Sequence, residues 1–287
     1  MNDTTDACTA PHDDCGIAGE TLETVAFLAR SEHRLGVLAL LDGTARTRSD
    51  LEAHTDATRV TLSRVLNDLT ERSLIEHDPS SNAYTLTQFG ALVYRDFDRL
   101  LGTVAVGQAL PSVINRLPVD WFDFDLQCLA GSEHVGTEQA DPLAAARVVA
   151  GAVGAADSCR SLLGTFISLP MYTFGEAVRK GTAPSVTVIA DAEVAATMTE
   201  DAALRERWEA IEAGTDRTTY YRIGERVPCS VDLIDGETVF LTVNRHQDAG
   251  FDVLRSTHPD VVAWAHATIE SMQAGAVPLS QAARADD

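Results

Sequence analysis

Arg59 and Arg64 lie in a stretch, Thr58 to Leu69, that also carries Thr58, Thr61 and Ser63. Arginine offers a planar fork of donors that matches guanine O6 and N7, and short hydroxyls can face base edges or phosphates. Presented on one exposed helix face, such a set suits the major groove of a duplex. Leu62, Val65, Leu66 and Leu69 recur at helical spacing and form the apolar stripe of that helix, with Arg59, Thr61, Ser63 and Arg64 projecting away from it. Thr58 is placed to cap the helix.

The neighbouring stretches supply the frame this helix needs. Thr47 to His54 reads as a short helix, with Ser49 as its cap, Leu51 and Ala53 turned inward and Arg48 available to the DNA-facing surface. Thr55-Asp56-Ala57 is the tight turn between the two helices, as a helix-turn-helix requires. Leu74 to His77 and Ala83 to Leu86 are strand candidates around the turn-rich Asp78-Pro79-Ser80-Ser81-Asn82, which makes a wing. His77, Ser81, Asn82 and Tyr84 are its contact candidates. Glu20 to Leu41 has helical periodicity broken near Ser31, and Gln88 to Leu101 carries Phe89, Leu92, Val93, Phe97, Leu100 and Leu101 on one side. Residues 20–104 thus resemble the winged helix-turn-helix domain of archaeal and bacterial MarR/ArsR-type regulators. The resemblance implies that Thr58 to Arg72 reads DNA, that the wing touches the backbone and that Gln88 to Leu101 pairs with a second subunit or bridges to an effector domain. Ser73 stands where that family usually has glycine, so a less relaxed end to the reading helix is expected.

With 43 acidic against 22 basic residues the formal net charge is −21, and Lys180 is the one lysine. Lysine depletion with an acidic excess over both halves fits a cytoplasm of multimolar salt, where acidic charge keeps protein soluble. At 1 M salt the Debye length is roughly 3 Å, so the acidic surface repels DNA far less than in dilute buffer. Residues 43–95 are spared: six arginines (Arg46, Arg48, Arg59, Arg64, Arg72, Arg95) nearly balance seven carboxylates. No apolar run approaches the roughly 18 residues of a membrane span, and Met1 to Gly19 has no hydrophobic core of a signal peptide. A cytoplasmic protein with no membrane partner is expected, and five cysteines, an odd number, fit a reducing compartment. The acidic segment 1–19 reads as a disordered tail; its Cys8, His12 and Cys15 lack the second ligand pair of a structural zinc site, so no metal is expected.

Two prolines, Pro111 and Pro118, mark a linker over 105–118, and an α/β domain is expected over 119–280. Trp121 to Leu126 alternates apolar with acidic, the period of a strand. Helix and strand then take turns: a helix from Asp141-Pro142 to Ala156, a strand over Cys159 to Ile167, a helix over Leu169 to Lys180, a strand over Ser185 to Ala190, one long helix over Asp191 to Ala213 and a strand over Thr218 to Ile223. Cys229 to Ile234 and Glu237 to Val243 flank Asp235-Gly236, a two-residue hairpin turn, and His258-Pro259 opens the last helix. The fold class is α+β: a winged helix-turn-helix followed by an α/β sandwich.

This second half resembles the effector domain of archaeal regulators of the methanogenesis-regulator type, related to TrmB-like domains with a phospholipase D-like core. The resemblance rests on Leu117-Pro118-Val119-Asp120, Asp141-Pro142-Leu143, Val227 to Gly236, Asp260 to Ala265 and Ala276 to Leu279. It implies sensing and a catalytically inactive core, because the His-x-Lys-x4-Asp signature of active phospholipase D enzymes is absent. No Gly-x-Ser-x-Gly, Walker or His-Glu-x-x-His pattern occurs either, so no enzyme and no cofactor is expected. Cys128, Cys159 and Cys229 read as small core residues, with a redox sensor as the other use of a cysteine. Thr165, Ser168, Arg222, Asn244, Arg245 and His246 fall near strand ends, the usual place for a ligand, and their arginines suit an anionic metabolite. The leading expectation is a homodimeric transcriptional regulator of an extreme halophile that reads double-stranded promoter DNA and senses a small effector. The alternative is a winged-helix protein-interaction module without specific DNA binding.

Overall fold

The computed structural model describes residues 19–136, 141, 143–245 and 250–281. The tail expected at the N-terminus, with Cys8, His12 and Cys15, lies outside them, as does His246. The chain divides into two compact units, Met1–Asp98 and Arg99–Asp287.

In the first unit α1 (Gly19–Ala29) and α2 (Glu32–Leu41) precede β1 (Arg46–Thr47), α3 (Arg48–His54) and α4 (Arg59–Glu71). Then come β2 (Ile75–Asp78), β3 (Ala83–Leu86) and the start of α5 (Gln88–Ala109). The strands form a small antiparallel sheet in the order β1-β3-β2. Leu62, Val65, Leu66 and Leu69 of α4 are buried against Leu28, Leu38, Leu41 and Leu51. Each such leucine contributes on the order of 1.5–3 kcal/mol, which fixes which face of α4 remains outside.

One local detail differs from the sequence-based expectation and a second agrees with it. The cap of α3 is Thr47 and not Ser49: the Asp50 N–H donates to the Thr47 hydroxyl at 3.3 Å, and the Asp50 carboxylate accepts the Thr47 N–H at 3.0 Å. This reciprocal pair satisfies two otherwise orphaned donors, which Ser49 has no partner to do. At the end of α4, Ser73 has φ +56°, with Ser73 N–H bonded to Thr70 O (2.9 Å) and Leu74 N–H to Leu69 O (3.0 Å). These are the two bonds of a Schellman motif, made by a residue with a Cβ where glycine would be unstrained. Ser73→Gly is therefore expected to stabilise the first unit by about 0.5–1 kcal/mol, the strain relieved exceeding the added freedom of the unfolded chain. An unchanged or lower urea midpoint would contradict this. Glycine is needed at Gly90, where a Cβ would lie 1.8 Å from the Leu74 carbonyl oxygen.

In the second unit an eight-stranded sheet runs in the order β11-β7-β6-β5-β8-β9-β10-β4. Its elements in chain order are β4 (Glu133–Val135), α6 (Ala144–Ala155), β5 (Ser158–Leu163), α7 (Ser168–Lys180), β6 (Ser185–Ala190), α8 (Ala192–Glu200) and α9 (Ala202–Gly214). They continue with β7 (Thr218–Arg222), β8 (Ser230–Ile234), β9 (Thr238–Arg245), β10 (Gly250–Ser256), α10 (Pro259–Ala274) and β11 (Val277–Pro278). Strands β5, β6 and β7 are parallel, and the remaining pairings are antiparallel. One face, with Cys159, Val188, Tyr220 and Phe240, is buried under α6 to α9. The other, with Leu162, Ile189, Val231 and Leu241, is buried under α10 and the stretch before β4. The fold is mixed α+β, in three layers here.

Four expectations are corrected. Residues 105–118 are not a free linker: Val106, Leu110, Val113 and Leu117 enter the core of the second unit. Trp121 to Leu126 is not a strand but two short 3-10 turns, Val119–Trp121 and Leu126–Leu129, with bends between. Trp121, Phe122 and Phe124 all set their rings on Trp264, at centroid distances of 5.1, 5.2 and 5.3 Å. Clustering around one indole therefore replaces the two opposite faces a strand would need. The single helix over 191–213 is two helices, because Asp201 takes the N–H groups of Ala203 and Leu204 (2.9 and 3.0 Å) and starts a new one. Asp235 and Gly236 both have positive φ, +53° and +73°, and the Glu237 N–H closes their turn on the Ile234 carbonyl at 3.1 Å, but Ile234 pairs with Thr238, so the loop holds three residues and not the two expected.

Candidate nucleic-acid interface

The buried stripe of α4 leaves Arg59, Val60 and Arg64 outside. The Arg59 side chain is 86% exposed, and Val60 is 64% exposed. Arg64 is exposed with no polar partner among the described residues. Glu52 of α3 sits between two of the cations, 3.1 Å from Arg48 Nε and 3.3 Å from Arg59 Nε, and Arg48 also donates to the Arg59 carbonyl at 3.3 Å. Exposed pairs of this kind contribute about 0.2–1 kcal/mol, so Glu52 orients both arginines yet releases them readily to a phosphate or base. Thr58 accepts the Thr61 N–H (3.2 Å) and shares a hydrogen bond with its hydroxyl (2.9 Å); these two hydroxyls hold the start of the helix. Ser63 is half-exposed between Arg59 and Arg64 along the helix.

The other arginines of the near-neutral segment are engaged elsewhere. Arg46 donates to the Leu40 carbonyl at 2.6 Å, Arg72 stacks on the Phe27 ring and Arg95 pairs with Asp96. The cations left for a polyanion on the two-helix surface are thus Arg48, Arg59 and Arg64. Sequence reading missed Glu52, although its i,i+4 spacing from Arg48 was legible, and Val60, whose exposed methyl groups suit a thymine methyl.

The wing is tied to itself more than expected. Asp78 accepts the Ser80 hydroxyl and the Ser81 hydroxyl, each at 2.7 Å. Hydrogen bonds from Ser81 and then Ser80 pull its pKa down to about 2. His77 Nε2 and Asn82 Oδ1 are 3.2 Å apart, the His77 ring lies 4.6 Å from the half-buried Tyr84 ring, and Asn82 takes φ +53° in the tip. Of the four wing candidates, His77, Ser81 and Asn82 have side chains engaged within the wing, whose tip presents a carboxylate. Asp78→Asn is expected to raise affinity for DNA about threefold at ~0.1 M salt, the gain vanishing in molar salt where the field is screened. A loss of affinity in that variant would remove the repulsion.

In the second unit the strand register brings Thr165, Ser168, Arg222, Asn244 and Arg245 to one end of the sheet. They are not equally available. Arg245 grips the wholly buried Asp252 with Nε at 2.8 Å and a terminal nitrogen at 2.7 Å. The same carboxylate takes His134 Nε2 at 2.9 Å and a short bond from Arg116. Burial alone would raise the Asp252 pKa, but hydrogen bonds from Arg245, His134 and Arg116 outweigh it and hold the pKa well below the carboxylate range. Arg245 is thereby engaged inside the protein, and Asn244 and Ser168 are exposed. Thr165 lines a cavity against the sheet. Cys159 and Cys229 are buried, and burial pushes both thiols up to about 12; burial and Asp260 raise that of Cys128. None is a thiolate at neutral pH, so their geometry is that of core residues. Cys128, His258 and Asp260 place three ligand atoms within 4.8 Å of one another, but His258 Nδ1 already accepts the Asp260 N–H at 3.3 Å as the cap of α10.

Among solved structures, the chain is similar to TrmBL2, an archaeal chromatin protein described as showing a novel mode of DNA binding, at 11% identity and a TM-score of 0.38 over 88% of this chain and 98% of that one. Nuc, a phospholipase D family member from Salmonella typhimurium, shares 13% identity at a TM-score of 0.40 over 52% of this chain and 97% of its own. NucT from Helicobacter pylori shares 12% at 0.37 over 51% and 98%. Comparison with the curated proteins gave no match. Residues 22–109 match the family model of the HVO_A0261 N-terminal domain, and residues 142–275 match that of the middle domain of the methanogenesis regulatory protein FilR1. The chain thus joins a domain similar to the HVO_A0261 N-terminal domain to a domain similar to the middle domain of a regulatory protein.

Proposed function

We propose that the chain is a DNA-binding transcription regulator of the archaeal TrmB-like kind, from an extreme halophile. One observation carries this reading: α4 keeps Arg59, Val60, Ser63 and Arg64 outside on a helix whose opposite face is fully committed to the core. That is the geometry in which a second helix enters the major groove. The match of residues 142–275 to a regulator's middle domain supports it, as does a net charge of −21 from which this surface is spared. The protein acts in the cytoplasm, and no helix among the described residues is long and apolar enough to cross a membrane.

Two copies read half-sites about one helical turn apart. Leu22 and Val25 of α1 and Phe89 and Leu92 of α5, all exposed, are the apolar surface available for that pairing. The second unit is a phospholipase D-like core that does no catalysis and senses a small effector. Chromatin immunoprecipitation of the full chain in a haloarchaeal host tests the reading. Discrete promoter peaks are expected; an absence of enriched DNA would favour a protein-docking role for the winged helix instead.

A further inference from the structure

The face of the sheet beneath α6 and α7 lines a cavity of about 60 Å³, enough to admit more than a water. Val149 and Val153 of α6, Met171 and Phe174 of α7 and Val188 of β6 make apolar walls. Its floor is different. Ser161 of β5 lies opposite Asp232 of β8, and Ser230 of β8 lies opposite Thr242 of β9, so four polar side chains share the middle of a buried sheet. All four are more than nine-tenths buried.

Their hydrogen bonds leave two gaps. Ser230 is saturated: its hydroxyl accepts from Gly164 N–H (3.1 Å) and Thr165 N–H (3.0 Å) and donates to the Thr165 carbonyl (3.2 Å). Asp232 has a single donor among the described residues, the Ser161 hydroxyl at 2.6 Å, and the Thr242 hydroxyl has no partner. No lysine, arginine or histidine lines the cavity among the described residues. Burial pushes the Asp232 carboxyl up to about 6, against the Ser161 hydrogen bond, and no counter-ion stands beside it among the described residues. An unpaired buried charge and an orphaned buried hydroxyl both carry large desolvation penalties, which a cation with several N–H donors would remove. Asp232 and Thr242 are diagonal neighbours across the β8/β9 pair, within reach of one such head group.

We propose that this cavity is the effector site and takes a small primary amine, its ammonium between Asp232 and Thr242 and its alkyl body against α6 and α7. The proposal rests on the reading of the second unit as a sensor and names the chemical class it senses. The charge is opposite to that suggested by the arginines near the strand ends, of which Arg245 is held by Asp252. A carboxylate ligand would meet like charge here, and a hydrocarbon would leave both polar groups unsatisfied.

Calorimetric titration of the full chain, without DNA, with n-butylamine, n-butanol and butyrate at pH 7.5 tests the site. Butylamine is expected to bind at least tenfold more tightly than either analogue. Its affinity is expected to fall at least tenfold in Asp232→Asn and severalfold in Thr242→Val, and to weaken as pH drops below 6 and Asp232 protonates. Equal binding of butanol or butyrate, an amine affinity unchanged in folded Asp232→Asn or Thr242→Val, or no binding of any straight-chain amine from two to six carbons would overturn the proposal. Urea midpoints establish that each variant folds. Promoter binding by the wild-type chain is measured separately: its loss sinks the regulator reading, whereas failure of amine binding with promoter binding intact sinks this site alone.

Discussion

Replacing Arg59 and Arg64 together by alanine is expected to lower affinity for promoter DNA by about 2–6 kcal/mol, or at least roughly 30-fold, with each arginine contributing about 1–3 kcal/mol as a base reader. The effect is large because few other cations stand beside α4: Arg72, just past its end, is stacked on Phe27, and Arg48 of α3 shares Glu52 with Arg59. It is also separable from folding. Both side chains are exposed, so the unfolding midpoint is expected to move by less than about 0.5 kcal/mol in equivalent stability. Anisotropy titrations in molar KCl give the affinities. Equal binding by wild type and variant would exclude α4 as the reader, and a drop equal for every sequence would assign the two arginines to phosphates.

The second large effect concerns the stability of the C-terminal unit. Asp252→Ala is expected to destabilise it by about 3–5 kcal/mol, because Arg116, Arg245 and His134 would keep their positions around a missing carboxylate. The pH dependence has a definite sign. The folded-state pKa of Asp252 lies below its unfolded value, so its stabilisation is present above about pH 4 and is lost as pH falls below that range. Asp232 behaves oppositely. Its folded pKa is raised to about 6, so stability declines as pH rises from roughly 4 to 6, and Asp232→Asn is expected to erase that slope with a gain on the order of 3 kcal/mol at pH 7. Urea unfolding between pH 3 and 8 reads both slopes. An Asp252→Ala variant as stable as wild type would show that the arginines find other partners.

Where apolar spacing was regular and local, the fold was legible. The stripe of α4, the cap at Thr58, the break near Ser31 and the Asp235-Gly236 turn all depend on residues within a turn of one another. What was not legible depends on distant partners. The aromatic run at 121–124 looks like a strand until Trp264, far along the chain, gathers its rings. Strand β10 escaped notice because it needs β9 and the three-residue β4 on either side to complete it. The same holds for the sites. The α4 arginines were visible from their spacing, but the polar floor of the cavity joins Ser161, Asp232 and Thr242 from three strands, which no spacing rule connects. Arg245 looked free for a ligand because its partner Asp252 lies across the β9/β10 hairpin. The wing tip drew attention for its hydroxyls, whereas those hydroxyls hold the carboxylate of Asp78.

Helix α4 is expected to meet DNA directly. Hydrogen–deuterium exchange of the full chain, with and without a promoter fragment it occupies, tests that claim at the level of residues. Slowed exchange over 58–72 with weaker protection over 77–84, and no change over α2, is the expected pattern. Protection confined to other segments while DNA is bound would place the duplex elsewhere and contradict the account.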